Sequence, residues 1–600
     1  MFARPNLAIA ASLAALAVGV PLAVMIQRSG VNDTGRVQTA DIDLLKREIQ
    51  QQRTAEERQR KQSTEANELA AVRQLPAAAR PATPPPPPVA MPTPHFVGRI
   101  DEKIVGGAPR LADLAQAPVA EQGRDRFEST PSNPVKSVTQ EPVSTFSVDV
   151  DTASYSFVRR SLNQGRLPQR DAVRVEEMIN YFPYDYPRPE TAEVPFRPSV
   201  TVLPSPWNAD NRLVHIAIKG YDLKQADRPR ANLVLLVDIS GSMSPEDRLP
   251  LLKNGFRMLV ENLQAEDTIS IVTYASGSDI RLPPTKVAEK AKIIAAIDSL
   301  KAGGSTHGAA GITDAYKVAE ANFDKAAVNR VILATDGDWN VGITNRNELK
   351  SFIESKRETG IYLSILGVGM GNHNDQLMQT LAQNGNGVAA YIDTLNEARK
   401  VLVEEASSSL FPIAKDVKIQ FEFNPARVSE YRLIGYETRA LRREDFNNDK
   451  VDAGDVGSGH SVTAIYEITP VGAPRTVDDL RYAQPAAKPV EPPKSATPVA
   501  ANELGFLKLR YKLPKEEASR LLTVAITPSF EVPTIAAAPA DVRFSVAVAA
   551  FGQLLKGQPY MKSFGYDDVI ALANGAKGED AFGYRSELVS LARLAKTARP

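Results

Sequence analysis

The 600-residue chain has no cysteine and only five histidines, and its 71 Lys and Arg are matched by 71 Asp and Glu. Without thiols there can be no disulfide, no thiolate metal site, no cysteine nucleophile and no lipid-modified cysteine. None of the histidines stands at zinc spacing, so a zinc hydrolase lacks its ligands. A balanced charge gives no global field to draw in nucleic acid or an anionic membrane, and no nucleic-acid partner is expected. Gly303 to Gly311 lacks the Lys-Ser/Thr of a phosphate loop. In Gly367-Val-Gly369-Met-Gly371 the third glycine comes one residue too early for a dinucleotide fingerprint. Nucleotide chemistry is not indicated.

What the chain does have is Asn232-Leu-Val-Leu-Leu-Val-Asp238-Ile-Ser240-Gly-Ser242-Met-Ser244. The apolar run Leu233 to Val237 reads as a strand buried on both faces of a parallel sheet. Its carboxyl end, where open α/β sheets bind ligands, delivers Asp238, Ser240 and Ser242 as a cluster of hard oxygen donors. Ser244-Pro245-Glu246-Asp247 reads as a helix start, with Ser244 as N-cap and Pro245 at the first helical position.

This cluster resembles the metal-ion-dependent adhesion site of the von Willebrand factor A domain. The resemblance implies two distant ligands, a threonine in a glycine-rich loop and an aspartate after the fourth strand. Gly303-Gly-Ser-Thr306-His-Gly308 supplies Thr306, and Arg330-Val-Ile-Leu-Ala-Thr-Asp336-Gly337 supplies Asp336. It further implies that the serine hydroxyls and Thr306 coordinate directly, and the carboxylates directly or through water. An Asp or Glu of a protein partner would complete the shell. Few charges and several neutral oxygens suit a small octahedral ion, Mg2+ or Mn2+, with Ca2+ possible. Singly, each segment can be read as an ordinary turn; together they point to a metal site.

Short apolar runs at Thr268 to Tyr274, Val331 to Thr335, Ile361 to Val368 and Ala389 to Ile392 alternate with helical segments at Leu249 to Leu263, Glu289 to Leu300 and Asn347 to Glu358. That alternation predicts a doubly wound parallel sheet over residues 232–410. Arg197 to Leu203 and Leu213 to Ile218 before it, and Val417 to Phe423 and Val462 to Ile468 after it, alternate as half-exposed strands. Two isolated strands cannot bury a face, so those before Ala231 are expected to pair with those after Pro412. The expected fold is an α/β A domain inserted in a β-rich platform (144–231 and 411–470). A proline-rich loop (471–500) and a carboxyl-terminal α+β module (501–600) follow.

Phe146-Ser-Val-Asp-Val-Asp151-Thr-Ala-Ser-Tyr155, Phe157-Val-Arg-Arg-Ser-Leu162 and Val175-Glu-Glu-Met-Ile-Asn-Tyr-Phe182 resemble the amino-terminal module of bacterial A-domain proteins of the YfbK-like group, and the resemblance runs through the remainder. Asp149 and Asp151 share a strand face, but Asp151-Thr-Ala reads better as a helix start. Asp445, Asn447 and Asp449 open like a calcium loop. Lys450 replaces the turn glycine and Val456 the bidentate glutamate, so a polar hairpin loop is expected.

Leu7 to Ile26 is uncharged and long enough for a helix of ~30 Å across a bilayer. Residues 1–30 read as a membrane anchor or signal. With no small-x-small cleavage site, an uncleaved anchor is expected. Residues 31–140 read as a helical and proline-rich linker, largely disordered, with order beginning near Ser144. The functional expectation is a membrane-tethered, divalent-metal-dependent protein-binding (adhesion or scaffold) protein of the bacterial envelope, and not an enzyme. It would span the inner membrane once, through residues 7–26, with the bulk of the chain periplasmic. The outward orientation rests on the resemblance. The alternative is a cytosol-facing adaptor or regulator for an ATPase or stress-response complex. An enzyme using the ion as a Lewis acid would need a base near Thr306, where His307 stands.

Overall fold

The computed structural model describes residue 127 and residues 129–148, 151–305, 309–337, 346–369, 375–478 and 502–599. The apolar stretch 7–26, most of the linker, most of the proline-rich loop, Asp149, Thr306 and His307 lie outside these residues. Among the described residues no helix is long and apolar enough to cross a membrane.

Strands from both sides of the insert share sheets. In one sheet Phe196–Pro204 and Arg212–Gly220 pair with Ser461–Pro470, which pairs with Val428–Ile434. In the other, Pro412–Phe423 pairs with Val143–Ser147, Gly454–Gly457 and Gly505–Lys512, and Ser519–Ile526 closes the far edge. The two sheets bury a common core that includes Phe146, Ile216, Phe421, Tyr466 and Leu507. The strands at 505–526, read from sequence as a separate module, thus complete the sandwich.

The expectation of half-exposed strands fails at Arg212–Gly220. Val214, Ile216 and Ile218 enter the sandwich core, but Leu213 and Ala217 are also buried, under a helical layer. That layer combines Ala153–Asn163 and Val175–Asn180 with the carboxyl-terminal helices Ala540–Lys556, Tyr566–Asn574 and Tyr584–Thr597. The strand therefore has covers on both faces, one of them built from sequence more than 300 residues away. His215 on the helical side bonds Ser545 at 2.8 Å, and burial pushes its imidazole down to about 4.

Order also begins earlier than the sequence suggested. Lys136–Ser137 pairs with Tyr431 and Glu430, and Phe127 packs edge-on against Phe157 with centroids 4.6 Å apart. Backbone pairing to a remote edge strand leaves no trace in a polar, proline-containing composition.

The A domain is a six-stranded sheet in the order 389–392, 361–368, 328–335, 231–238, 268–274, 278–286, parallel except for the last strand. Along Ala231–Asp238, Leu233, Leu235 and Val237 pack under Leu249–Asn262 and Lys290–Asp298, while Val234 and Leu236 face the helices on the opposite side. The outgoing and returning chains lie side by side at the junction. Gly459 N donates to Tyr221 O at 2.9 Å and Ser458 N to Phe411 O at 2.9 Å.

A candidate metal site at the carboxyl edge of the sheet

Asp238 ends the fully buried central strand and is itself 0% exposed. The chain then turns sharply. Ser240 N donates to Asp238 Oδ1 at 2.8 Å, and the turn Gly241–Met243 brings the Ser240 and Ser242 hydroxyls within 3.0 Å of each other. The neighbouring strand Val328–Thr335 delivers Asp336, 2% exposed, at the same edge. Four of the five expected donors thus come from adjacent parallel strands. Thr306 is outside the described residues, but the loop leading to it is bonded to the motif: Gly303 N donates to Ile239 O at 2.7 Å and Gly241 N to Gly304 O at 3.0 Å. Gly304 has a φ of +88°, and a Cβ there would stand 2.7 Å from Ser276 Oγ, so glycine is required for this approach.

Two buried carboxylates at one edge repel each other. Burial raises the Asp238 carboxyl above its usual range, hydrogen bonds from Ser240 pull against that, and the charge of Asp336 adds to the rise. The structure supplies one cation. Arg248 Nη1 donates to Asp336 Oδ2 at 2.5 Å and to Ser242 O at 2.8 Å, tying the two donor-bearing loops together. Its stem crosses Gly369, φ +71°, where a Cβ would fall 2.3 Å from Nε.

With Oδ2 held, Asp336 Oδ1 is buried without a hydrogen-bond partner among the described residues. An unmet buried acceptor costs ~1–3 kcal/mol, more when charged, and needs a physical reason. A dication supplies one. The Asp238 and Asp336 carboxylates, the latter with its orphaned oxygen, and the two serine hydroxyls fit a small hard ion that keeps some of its waters. No soft ligand is present.

Arg248 was not singled out in the sequence, because Ser244 to Asp247 was read as a helix start. The helix begins instead at Leu249, with no side-chain cap, after a turn closed by Arg248 N to Pro245 O at 3.0 Å. Asp247 is drawn off by Arg160 at 2.6 Å. Arg160 also reaches the Tyr391 hydroxyl at 3.0 Å, and that hydroxyl donates to Gly369 O. Beside it, Arg159 pairs with Asp393 and Glu397 of the A domain and Glu587 of the last helix. Helix Ala153–Asn163 therefore braces the rim of the site. A lone basic residue six positions after Ser242 was the one available signal for Arg248.

Two other acidic motifs resolve differently. Asp151 caps no helix: Oδ1 accepts from Ala389 N at 2.9 Å and Oδ2 from Arg439 at 2.9 Å. In the calcium-like loop Lys418 Nζ donates to the carbonyls of Asp445 and Asn448 at 3.2 and 2.6 Å, while Arg510 and Ser519 hold Asp449 Oδ1. Among the described residues no three His, Cys, Asp or Glu side chains gather as metal ligands.

The family model of the von Willebrand factor type A domain matches residues 232–404. A model described as von Willebrand factor matches 121–215, and one described as Uncharacterized protein YfbK, C-terminal, matches 408–598. Fold and family model thus define a von Willebrand factor A-domain protein, a class whose domains generally mediate protein interaction. The chain is 45% identical over 507 residues to Uncharacterized protein YfbK of Escherichia coli (strain K12), covering 83% of this chain and 85% of that one. It belongs to the YfbK-like family of bacterial A-domain proteins. Uncharacterized protein sll0103 of Synechocystis sp. is 27% identical over 31% of this chain and 43% of its own. Among solved structures, von Willebrand factor type A from Catenulispora acidiphila aligns over 67% of this chain and 91% of its own, with 13% identity and a TM-score of 0.37.

Proposed function

We propose that this protein is a divalent-cation-dependent protein-binding scaffold, tethered to the bacterial inner membrane through residues 7–26 with its folded part in the periplasm. One observation carries the reading: among the described residues Asp336 Oδ1 is buried and unpartnered beside Asp238 and the paired Ser240 and Ser242 hydroxyls. Asp238, Ser240, Ser242, Thr306 and Asp336 would hold Mg2+ or Mn2+, with Ca2+ a weaker competitor. The bound ion supplies an electron-poor open position that accepts a carboxylate oxygen. This chain's residues orient the donors, Arg248 above all.

Calorimetry of the detergent-solubilised full chain with Mg2+, Mn2+ and Ca2+ tests the site, followed by partner capture from envelope extracts with and without chelator. Ion binding and chelator-sensitive capture, both lost in Asp238→Ala, are expected. Equal ion binding by Asp238→Ala and the parent would reduce the Asp-x-Ser-x-Ser turn to a structural role. Orientation is tested separately by protease added to intact spheroplasts. Removal of a carboxyl-terminal tag supports the periplasmic placement, and its protection until lysis supports the cytosol-facing adaptor.

A further inference from the structure

On the opposite edge of the A-domain sheet, a cavity of about 250 Å3 lies between the strand starts and the sandwich edge Gly454–Gly457. Most charges around it are neutralised locally: Arg439 by Asp151, Asp452 by Arg357, Asp416 by Lys512. Two are not. Arg330, 3% exposed, gives Nη1 to Ser364 Oγ at 2.6 Å and lies over the Tyr362 ring at 5.5 Å. Among the described residues its Nε is buried without a partner, and it forms no ion pair. Arg159, Arg174, Arg432 and Arg585, also largely buried, each pair with at least one carboxylate. Asp455 accepts a single long bond, 3.3 Å, from Asp416 N and likewise forms no ion pair. Both residues line the same cavity.

A buried guanidinium without an anion is costly, and so is a half-buried carboxylate without a cation. An anionic occupant would satisfy Arg330 and repel Asp455; a cationic one would do the reverse. We infer that this cavity is a binding site for a small dipolar solute of amino-acid type, its carboxylate on Arg330 and its ammonium on Asp455. Its volume falls below the ~300–1,000 Å3 of sites for drug-sized ligands, which limits the occupant to a few heavy atoms beyond the two charged groups. Burial and the neighbouring Asp416 push Asp455 up to about 7, so above that pH its charge goes uncompensated unless a cation sits beside it. The charged and titratable groups facing Asp455 are Asp416, Asp452, Lys415, Arg330 and Tyr362. The site is independent of the metal at the other edge.

The probes are L-alanine and 4-aminobutyrate, which separate the charges by short and long spacers, with acetate and methylammonium as half-ligands. Calorimetry on the full chain at pH 8, where Asp455 is ionised, should show one dipolar probe binding at least tenfold tighter than either half-ligand. Affinity should fall as pH drops below 7. Arg330→Gln and Asp455→Asn should each weaken it at least tenfold while leaving Mg2+ binding unchanged, which separates failure here from failure of the metal site. If Arg330→Gln does not fold, Asp455→Asn decides alone. Equal affinities for dipolar and half-ligands, or Asp455→Asn binding as the parent does, would mean that water bridges Arg330 and Asp455 and the inference is wrong.

Discussion

The Asp238 to Ser244 turn and the Asp445 to Asp449 loop look alike on paper, each a short run of carboxylates and neutral oxygens. In the first, a buried carboxylate oxygen is left unmet. In the second, a lysine ammonium has taken the carbonyls and an arginine and a serine have taken the carboxylate. Donor count therefore does not make a cation site. What separates the two loops is whether the protein has already satisfied its own oxygens, and that is decided by residues far away in sequence.

The largest expected effect tests the first loop. Asp238→Ala should weaken Mg2+ binding by at least about a hundredfold, the loss of ~2.7 kcal/mol or more, with the far-ultraviolet circular dichroism unchanged because the carboxylate sits above the core. Next is Arg248→Gln, which frees Asp336 to rotate and should cost roughly ten- to a hundredfold in Mg2+ affinity by titration calorimetry. Arg248→Lys should recover part of it, because the charge returns without the reach and planar geometry of the guanidinium. An Arg248→Gln protein with tighter Mg2+ binding would instead make Arg248 a competitor for the ion.

Asp455, just beyond the second loop, has a pH signature of its own. The Asp455 carboxyl is raised to about 7 in the fold, so between about 4 and 7 the native state holds a proton that the unfolded chain has lost. Its contribution to stability is therefore present at acid pH and disappears as pH rises through 7. Urea unfolding without added solutes should show Asp455→Asn gaining roughly 1–2 kcal/mol over the parent at pH 8 and little at pH 4, a figure discounted for partial exposure. Smallest of all is Asp445→Ala. It should leave Mg2+ and Ca2+ binding unchanged and shift unfolding by no more than about 0.5 kcal/mol; a loss of Ca2+ binding would erase the contrast between the loops.

The A domain was legible because its strands are buried on both faces, and such runs announce themselves. Thr268–Tyr274, Ile361–Val368 and Ala389–Ile392 stand where the apolar runs placed them. Val428–Ile434 was passed over because two of its residues are buried charges, Glu430 accepting the amides of Thr476 and Val477, and Arg432 pairing with Glu467. Ser278–Lys286 was hidden by its exposure and its two prolines, which only an edge strand tolerates. At the site, the donors could be read from type and spacing. Arg248 could not, since its role depends on a turn in which the helix starts four residues later than Ser244 and Pro245 suggested.

The side-by-side crossing at Tyr221 and Phe411 bears on the order in which the chain can fold. Lys219 meets Ser461 across 242 residues. Closing a flexible loop of that length carries an entropic term of about 5 kcal/mol, by the (3/2)RT ln n rule. A formed A domain fixes the separation of its two ends and leaves far less flexible chain between the platform strands, removing part of that term. The sandwich therefore has a strong kinetic preference to close around an A domain that is already folded. A mutation that unfolds the insert should also leave the platform's two halves apart.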